Sequence, residues 1–255
     1  MHTHYTTPQA TTRAETVVVS DLDTPCLLLD ASRMNGNIRR LHSRLAEKAV
    51  AFRPHLKTAK SIEIARRMVT GAHGPATVST LKEAEAFASA GITDITYAVG
   101  ISPQKIFRVQ ALLRQGVNLT VLLDSVEQAE AVAAASRQDV TIPALIELDC
   151  DGHRSGVHCD DHEKLLAIAQ TLHASGNLRG VLTHAGESYT AINREALVAA
   201  AENERASAVR AAEILRHAGH GCPVVSIGST PTALFAENYD GITEEIGRAS
   251  CRERV

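Results

Sequence analysis

Apolar residues along this chain fall into two alternating rhythms. Short, nearly unbroken apolar runs occupy about 49–53, 76–79, 95–99, 119–123, 143–149, 180–184 and 223–227. Each is followed by a stretch in which apolar positions return every three or four residues, starting near Ser61, Leu81, Pro103, Ser125, Asp160, Asn193 and Pro231. The runs have the length of strands buried on both faces, and the stretches have the period of amphipathic helices. Strand followed by helix, repeated seven times, predicts a parallel sheet with right-handed crossovers. Gly241 to Ile246 supplies the start of an eighth unit, and eight units close an α/β barrel of the (β/α)8 TIM type. Ahead of the series, Thr24-Pro25-Cys26-Leu27-Leu28-Leu29-Asp30 reads as a short apolar strand. Ala31 to about Lys48 reads as a helix that aligns Met34, Ile38, Leu41 and Leu45. Residues 1–20 are polar and Thr-rich, a flexible leader, so the barrel is placed at 21–246.

Composition narrows the function classes. The 255 residues are 44% hydrophobic and 22% charged, the balance of an ordinary soluble domain. A net charge of -3 and a pI near 6.5 give no attraction to nucleic acid or to an anionic membrane. Aromatics at 3% and the lack of Trp argue against a base-stacking surface. No apolar run approaches membrane-spanning length, and the first twenty residues lack the apolar centre of a signal peptide. The five cysteines are scattered without CxxC spacing, which fits a reducing, cytoplasmic setting.

In such a barrel, chemistry gathers at the C-terminal ends of the strands. Lys57 follows the first strand, flanked by Arg53, His55 and Lys60; like charges lower a lysine pKa, and a neutral amine attacks carbonyls. An ordinary surface lysine is the plainer reading of that stretch taken alone. His153 and Arg154 lie past the fifth strand in Asp151-Gly152-His153-Arg154-Ser155-Gly156, and His184 ends the sixth. Past the seventh, Gly228-Ser229-Thr230-Pro231 combines a close-approach glycine, two hydroxyls and a helix start, a reasonable phosphate cup. His153, His158, Cys159, Asp160 and His162 have the composition of a metal cluster, but the run enters a helix and its ligands do not converge. His217, His220 and Cys222 read as a helix C-terminus capped at Gly219 or Gly221. No metal ligand is assigned.

Taken together, Pro54-His55-Leu56-Lys57-Thr58-Ala59-Lys60, Tyr97-Ala98-Val99-Gly100-Ile101, Asp151 to Gly156, His184-Ala185-Gly186 and Gly228-Ser229-Thr230-Pro231-Thr232 resemble the fold type III pyridoxal-phosphate enzymes. The nearest branch holds D-threonine aldolase and eukaryotic-type D-serine dehydratase, whose barrel is of the alanine racemase type. The match runs from about Asp21 to Glu244. The resemblance implies that Lys57 forms the internal aldimine and groups His55 with it as catalytic. It implies that Arg154 contacts the phenolic oxygen of the cofactor and that His184 packs on its ring. Tyr189, Gly228, Ser229 and Thr230 match the phosphate-binding groups. The family often has a second histidine where this chain has Ala59.

The implied activity is that of a lyase on D-β-hydroxy amino acids. Retro-aldol cleavage to glycine and an aldehyde is placed ahead of dehydration or racemisation, with a small-molecule substrate and a homodimer. A non-catalytic carrier of the cofactor and a phosphosugar aldolase with Lys57 as its Schiff-base lysine are the other readings. The first would be yellow and the second colourless. Family members also carry a C-terminal β domain holding a divalent metal on the substrate hydroxyl. Here Arg248, Arg252, Arg254 and Cys251 do not read as a buried strand. Residues 247–255 are therefore expected to be a tail foreign to the family, with the β domain missing. The further expectations are a compromised eighth strand, poor closure between strands one and seven, and weak catalysis.

Overall fold

The computed structural model describes residues 18–26 and 28–250. The long helix α1 (Ala31–Glu47) opens the fold and packs Met34, Ile38, Leu41 and Leu45 inward. The strand and helix units then follow in the expected order. They are β1 (Ala51–Pro54) with α2 (Ile62–Met68), β2 (Ala76–Val78) with α3 (Leu81–Ser89), and β3 (Asp94–Gly100) with α4 (Ile106–Arg114). Next come β4 (Asn118–Leu123) with α5 (Val126–Gln138) and β5 (Ala144–Asp149) with α6 (His162–Ala174). A two-residue strand β6 (Val157–His158), not foreseen from the pattern, lies beside β5 ahead of α6. The series ends with β7 (Leu178–Thr183) and α7 (Arg194–His217), β8 (Val224–Ile227) and α8 (Thr230–Phe235), and β9 (Glu244–Gly247).

Helix starts are chemically marked. Asp30, Ser61, Thr80, Ser125, Asp161, Asn193 and Ser229 each accept a backbone N–H of the first turn. Each such cap contributes about 1 kcal/mol and sets where the chain turns out of a strand end. Among the described helices only α4 lacks one, because it continues from the 3-10 turn Pro103–Lys105.

The strands form one parallel sheet in the order β1-β9-β8-β7-β5-β4-β3-β2. Two expectations are corrected here. The eighth barrel strand is intact: β9 pairs with β1 over Ala51–Pro54 and with β8 over Ser226–Ile227. Strands one and seven of the series are thus joined through β9, and Gly247 is part of that pairing. The weak seam is elsewhere, between β1 and β2, held by a single bridge from His55 to Thr77 and by Leu56 N–H donating to the Thr77 carbonyl. Arg53 sews that seam from inside. Its guanidinium bonds Glu244 (2.8 Å), Asp94 (3.0 Å) and the Ala76 carbonyl. Burial opposes its charge, but the two carboxylates outweigh that and raise its pKa above the usual value.

The second correction concerns 24–30. No strand forms among the described residues there, and Leu28 and Leu29 are exposed. A strand needs a neighbour's N–H and C=O groups, and the described strands offer this segment none; Leu27 lies outside the described residues. Most of the leader and residues 251–255 also lie outside them. Among the described residues no helix is long and apolar enough to cross a membrane. Inside the barrel Leu122, Leu145, Leu182 and Ile246 form an apolar layer, and the ends of the strands above it bound a cleft.

Candidate active site

The cleft opens to solvent at the C-terminal rim of the strands, where barrels of this kind place their chemistry. His55, Lys57, Arg154, His184, Tyr189, Gly228, Ser229 and Thr230 all line it. Those are the residues singled out from the sequence, contributed by the chain after β1, β5, β7 and β8. His153 points out to solvent and takes no part.

Lys57 lies three residues beyond the end of β1, in a turn pinned by His55 N–H to the Gly247 carbonyl and Leu56 N–H to Thr77. Its surroundings differ from the cluster of like charges expected. Arg53 is neutralised below the cleft by Glu244 and Asp94, and Lys60 pairs with Glu83 at 3.0 Å. Burial, followed by the charges of Lys57 and His184, pushes His55 down to about 3, so it is neutral near pH 7. Its Nδ1 accepts the Lys57 backbone N–H at 3.4 Å, which leaves the proton on Nε2.

Arg154 is presented by a loop that carboxylates wind. Asp149 accepts from the N–H groups of Asp151, Gly152 and Arg154, and Asp124 accepts from Gly156 N–H. Gly156 adopts φ 128° and presses on β5; an added Cβ would lie 2.5 Å from the Leu148 carbonyl carbon. Only glycine tolerates that approach. The Arg154 side chain then crosses the face of Gly186, where a Cβ would meet its Cδ at 2.6 Å. His184 contacts the Gly228 carbonyl through Nδ1 and lies 6.0 Å from the Tyr189 ring. Burial outweighs the Gly228 contact and, with Arg154 and Lys57 nearby, brings His184 down to about 4.

The Gly228 to Thr230 turn is tightly organised. Ser229 Oγ caps Thr232 N–H and bonds the hydroxyls of Ser188 (2.7 Å) and Thr232 (2.8 Å). Thr230 N–H is 3.4 Å from the Tyr189 hydroxyl. α8 has only six residues, so discrete donors here outweigh any helix dipole.

Two functional candidates escaped the sequence reading. Glu147 lines the cleft from β5, is buried, and has one carboxyl oxygen without a partner. Burial, then the Asp124 charge, pushes it up to about 7. Its signal was a charge at an inward position of an otherwise apolar strand, beside Leu145 and Asp149. Arg248 also reaches the cleft, with its guanidinium 5.2 Å from the centre of the Tyr189 ring. Among the described residues no three His, Cys, Asp or Glu side chains converge as a metal site.

This arrangement has known counterparts. Residues 29–246 match the family model described as alanine racemase, N-terminal domain. The chain belongs to that family, the barrel of the fold type III pyridoxal-phosphate enzymes. It is 52% identical over 225 residues to D-threo-3-hydroxyaspartate dehydratase of Delftia sp. (strain HT23), covering 88% of this chain and 59% of that protein. It is 30% identical over 234 residues to D-threonine aldolase of Arthrobacter sp., covering 90% of this chain and 60% of that protein. The solved structure of the Delftia dehydratase superposes with a TM-score of 0.87 at 50% identity, over 90% of this chain and 62% of the other. The chain thus spans about three-fifths of the length of these relatives.

Proposed function

We propose that this barrel binds pyridoxal 5'-phosphate and is the cofactor-bearing part of a lyase acting on D-3-hydroxy amino acids. The observation that carries the reading is the convergence of Lys57, Arg154, His184, Tyr189 and Gly228 to Thr230 on one cleft. The donor set fits the group. Lys57 offers an amine, Arg154 a guanidinium across Gly186, His184 an imidazole, and Tyr189 and Thr230 offer hydroxyls near the turn at Gly228. Bound there, the cofactor would supply an electron sink for charge at the substrate Cα.

The residues divide the remaining work. His55, neutral and with its proton on Nε2, orients the Lys57 turn by accepting the Lys57 backbone N–H. Arg154 would balance negative charge on the bound cofactor, and its loop is held by Asp149. Glu147 lines the same cleft as Arg154, and the guanidinium's charge works against the burial that pushes this carboxyl up to about 7.

The motifs favoured retro-aldol cleavage over dehydration. The 52% relative, named a dehydratase of D-threo-3-hydroxyaspartate, now supports elimination of water ahead of Cα–Cβ cleavage, the 30% relative being the aldolase. The homodimer and the cytoplasmic setting belong to the same proposal. Lys57→Ala tests it. The protein mixed with pyridoxal phosphate should absorb near ~420 nm, as the cofactor does on a protonated lysine imine. Borohydride should then fix the cofactor on the peptide containing Lys57. Both signals should vanish in the variant, and a borohydride-stable adduct in Lys57→Ala would refute the assignment.

A further inference from the structure

Outside the lining of the cleft, α7 buries a carboxyl group that the chemistry above does not use. Glu204 is fully enclosed. Its Oε1 accepts the N–H of Ala185 at 2.7 Å and of Gly228 at 3.2 Å, and its Oε2 accepts the Thr232 hydroxyl at 2.5 Å. Ala185 follows His184, Gly228 opens the proposed phosphate turn, and Thr232 sits in the first turn of α8. One side chain therefore grips three points on two different loops.

The grip closes into a ring. From Ala185 the Ser188 hydroxyl donates to the Ala185 carbonyl at 2.6 Å. Ser229 Oγ, with one proton to give, lies 2.7 Å from Ser188 Oγ and 2.8 Å from Thr232 Oγ1, and Thr232 returns to Glu204. Every member is buried. Loops after neighbouring strands are ordinarily the mobile parts of a barrel; these two are fastened to each other and to the longest helix. A carboxylate is an expensive group to bury unless its acceptor sites are used. Here two N–H groups and a hydroxyl use them, and burial still pushes its pKa up to about 7. An apolar residue on α7 would fill the same space without that cost. Its three bonds end on the turn expected to hold phosphate and on the neighbour of the residue expected to pack on the ring.

We infer that Glu204 is a positioning residue, which sets the spacing between the β7 and β8 loops so that the Gly228 to Thr230 turn fits a phosphate monoester. The inference rests on the cofactor reading above. It predicts a selective effect: Glu204 matters for the phosphate and much less for the pyridine ring or its attachment to Lys57.

Dissociation constants for pyridoxal phosphate and for pyridoxal, which lacks the phosphate, separate the two. The wild-type chain should prefer the phosphate ester strongly. Glu204→Ala should weaken binding of pyridoxal phosphate by about tenfold or more, the size expected for losing bonds to a charged group. Pyridoxal should change by less than about threefold. Glu204→Gln should restore the preference to within about threefold, because its carbonyl accepts both amides and its NH2 donates to Thr232 Oγ1. If Glu204→Ala does not fold, Thr232→Val breaks one link of the ring and should show the same selective loss, smaller in size. Parallel weakening of both compounds in the variants would make Glu204 a general scaffold residue and overturn the inference, as would unchanged affinity. A wild-type chain with no preference for the phosphate ester overturns the cofactor reading instead.

Discussion

Gly186→Ala is the sharpest test of how Arg154 is placed. The new Cβ would lie 2.6 Å from Arg154 Cδ and 3.3 Å from its Nη1. Ordinary carbon contacts are ~3.5–4.0 Å, so the side chain must retreat by about 1 Å at Cδ, and further at the guanidinium. A hydrogen bond to a charged group contributes roughly 1.5–3 kcal/mol and does not survive that displacement. Affinity for pyridoxal phosphate should therefore fall about 10- to 150-fold. Stability should not fall. Gly186 lies outside the left-handed region, and alanine at a compatible position stabilises by about 0.4–1 kcal/mol through the unfolded chain. The assay is cofactor titration by absorbance, with the thermal midpoint measured in parallel. A double-mutant cycle isolates the cause: in an Arg154→Ala background, Gly186→Ala should change affinity by less than about threefold, because its target is gone. If Gly186→Ala binds cofactor as well as wild type, or weakens it equally in both backgrounds, Arg154 is not held in the way described.

Arg53→Met leaves Glu244 and Asp94 facing each other without their cation; it should cost about 3–5 kcal/mol in urea unfolding, and an unchanged midpoint would remove Arg53 from the seam. His184, whose folded pKa of about 4 lies below its ordinary 6.5, binds fewer protons folded than unfolded. Stability is therefore withdrawn as pH falls from 6.5 through 4, by up to about 3 kcal/mol. Glu147 and Glu204, raised to about 7, act in the opposite sense and favour the fold as pH falls from 7 to 4.5. His55, lowered to about 3, adds to the loss from His184. The opposing contributions largely cancel, so the wild-type slope should be shallow, while His184→Asn should gain on wild type as the pH is lowered; parallel curves would contradict the assignment.

Much of this site was legible beforehand. Lys57, Arg154, His184 and the Gly228 turn could be named because a parallel barrel delivers every strand end to the same rim, so that position in the strand-helix count implies position in space. The error about Lys57's neighbours has the same root. Sequence adjacency placed Arg53 and Lys60 beside it as free charges, whereas Arg53 meets Asp94 and Glu244 from strands 41 and 191 residues away. Glu147 was passed over as a single acid in an apolar strand and Glu204 as one of the polar run Glu202-Asn203-Glu204-Arg205 on a helix, and the partners of both come from other elements.

The alternation of periods, the cap residues and the order of the motifs determined the number of units, their direction and where each helix starts. These are local quantities, set by side-chain period and by which groups satisfy the first N–H donors of a helix. Closure was a tertiary matter. Whether β9 would complete the sheet, and whether the gap would fall between β1 and β8 or between β1 and β2, depends on hydrogen bonds between segments nearly 200 residues apart. The electrostatics of the cleft were decided there too. Burial made His55 and His184 neutral and raised Glu147 and Glu204, and burial exists only once all the strands have met around a common core.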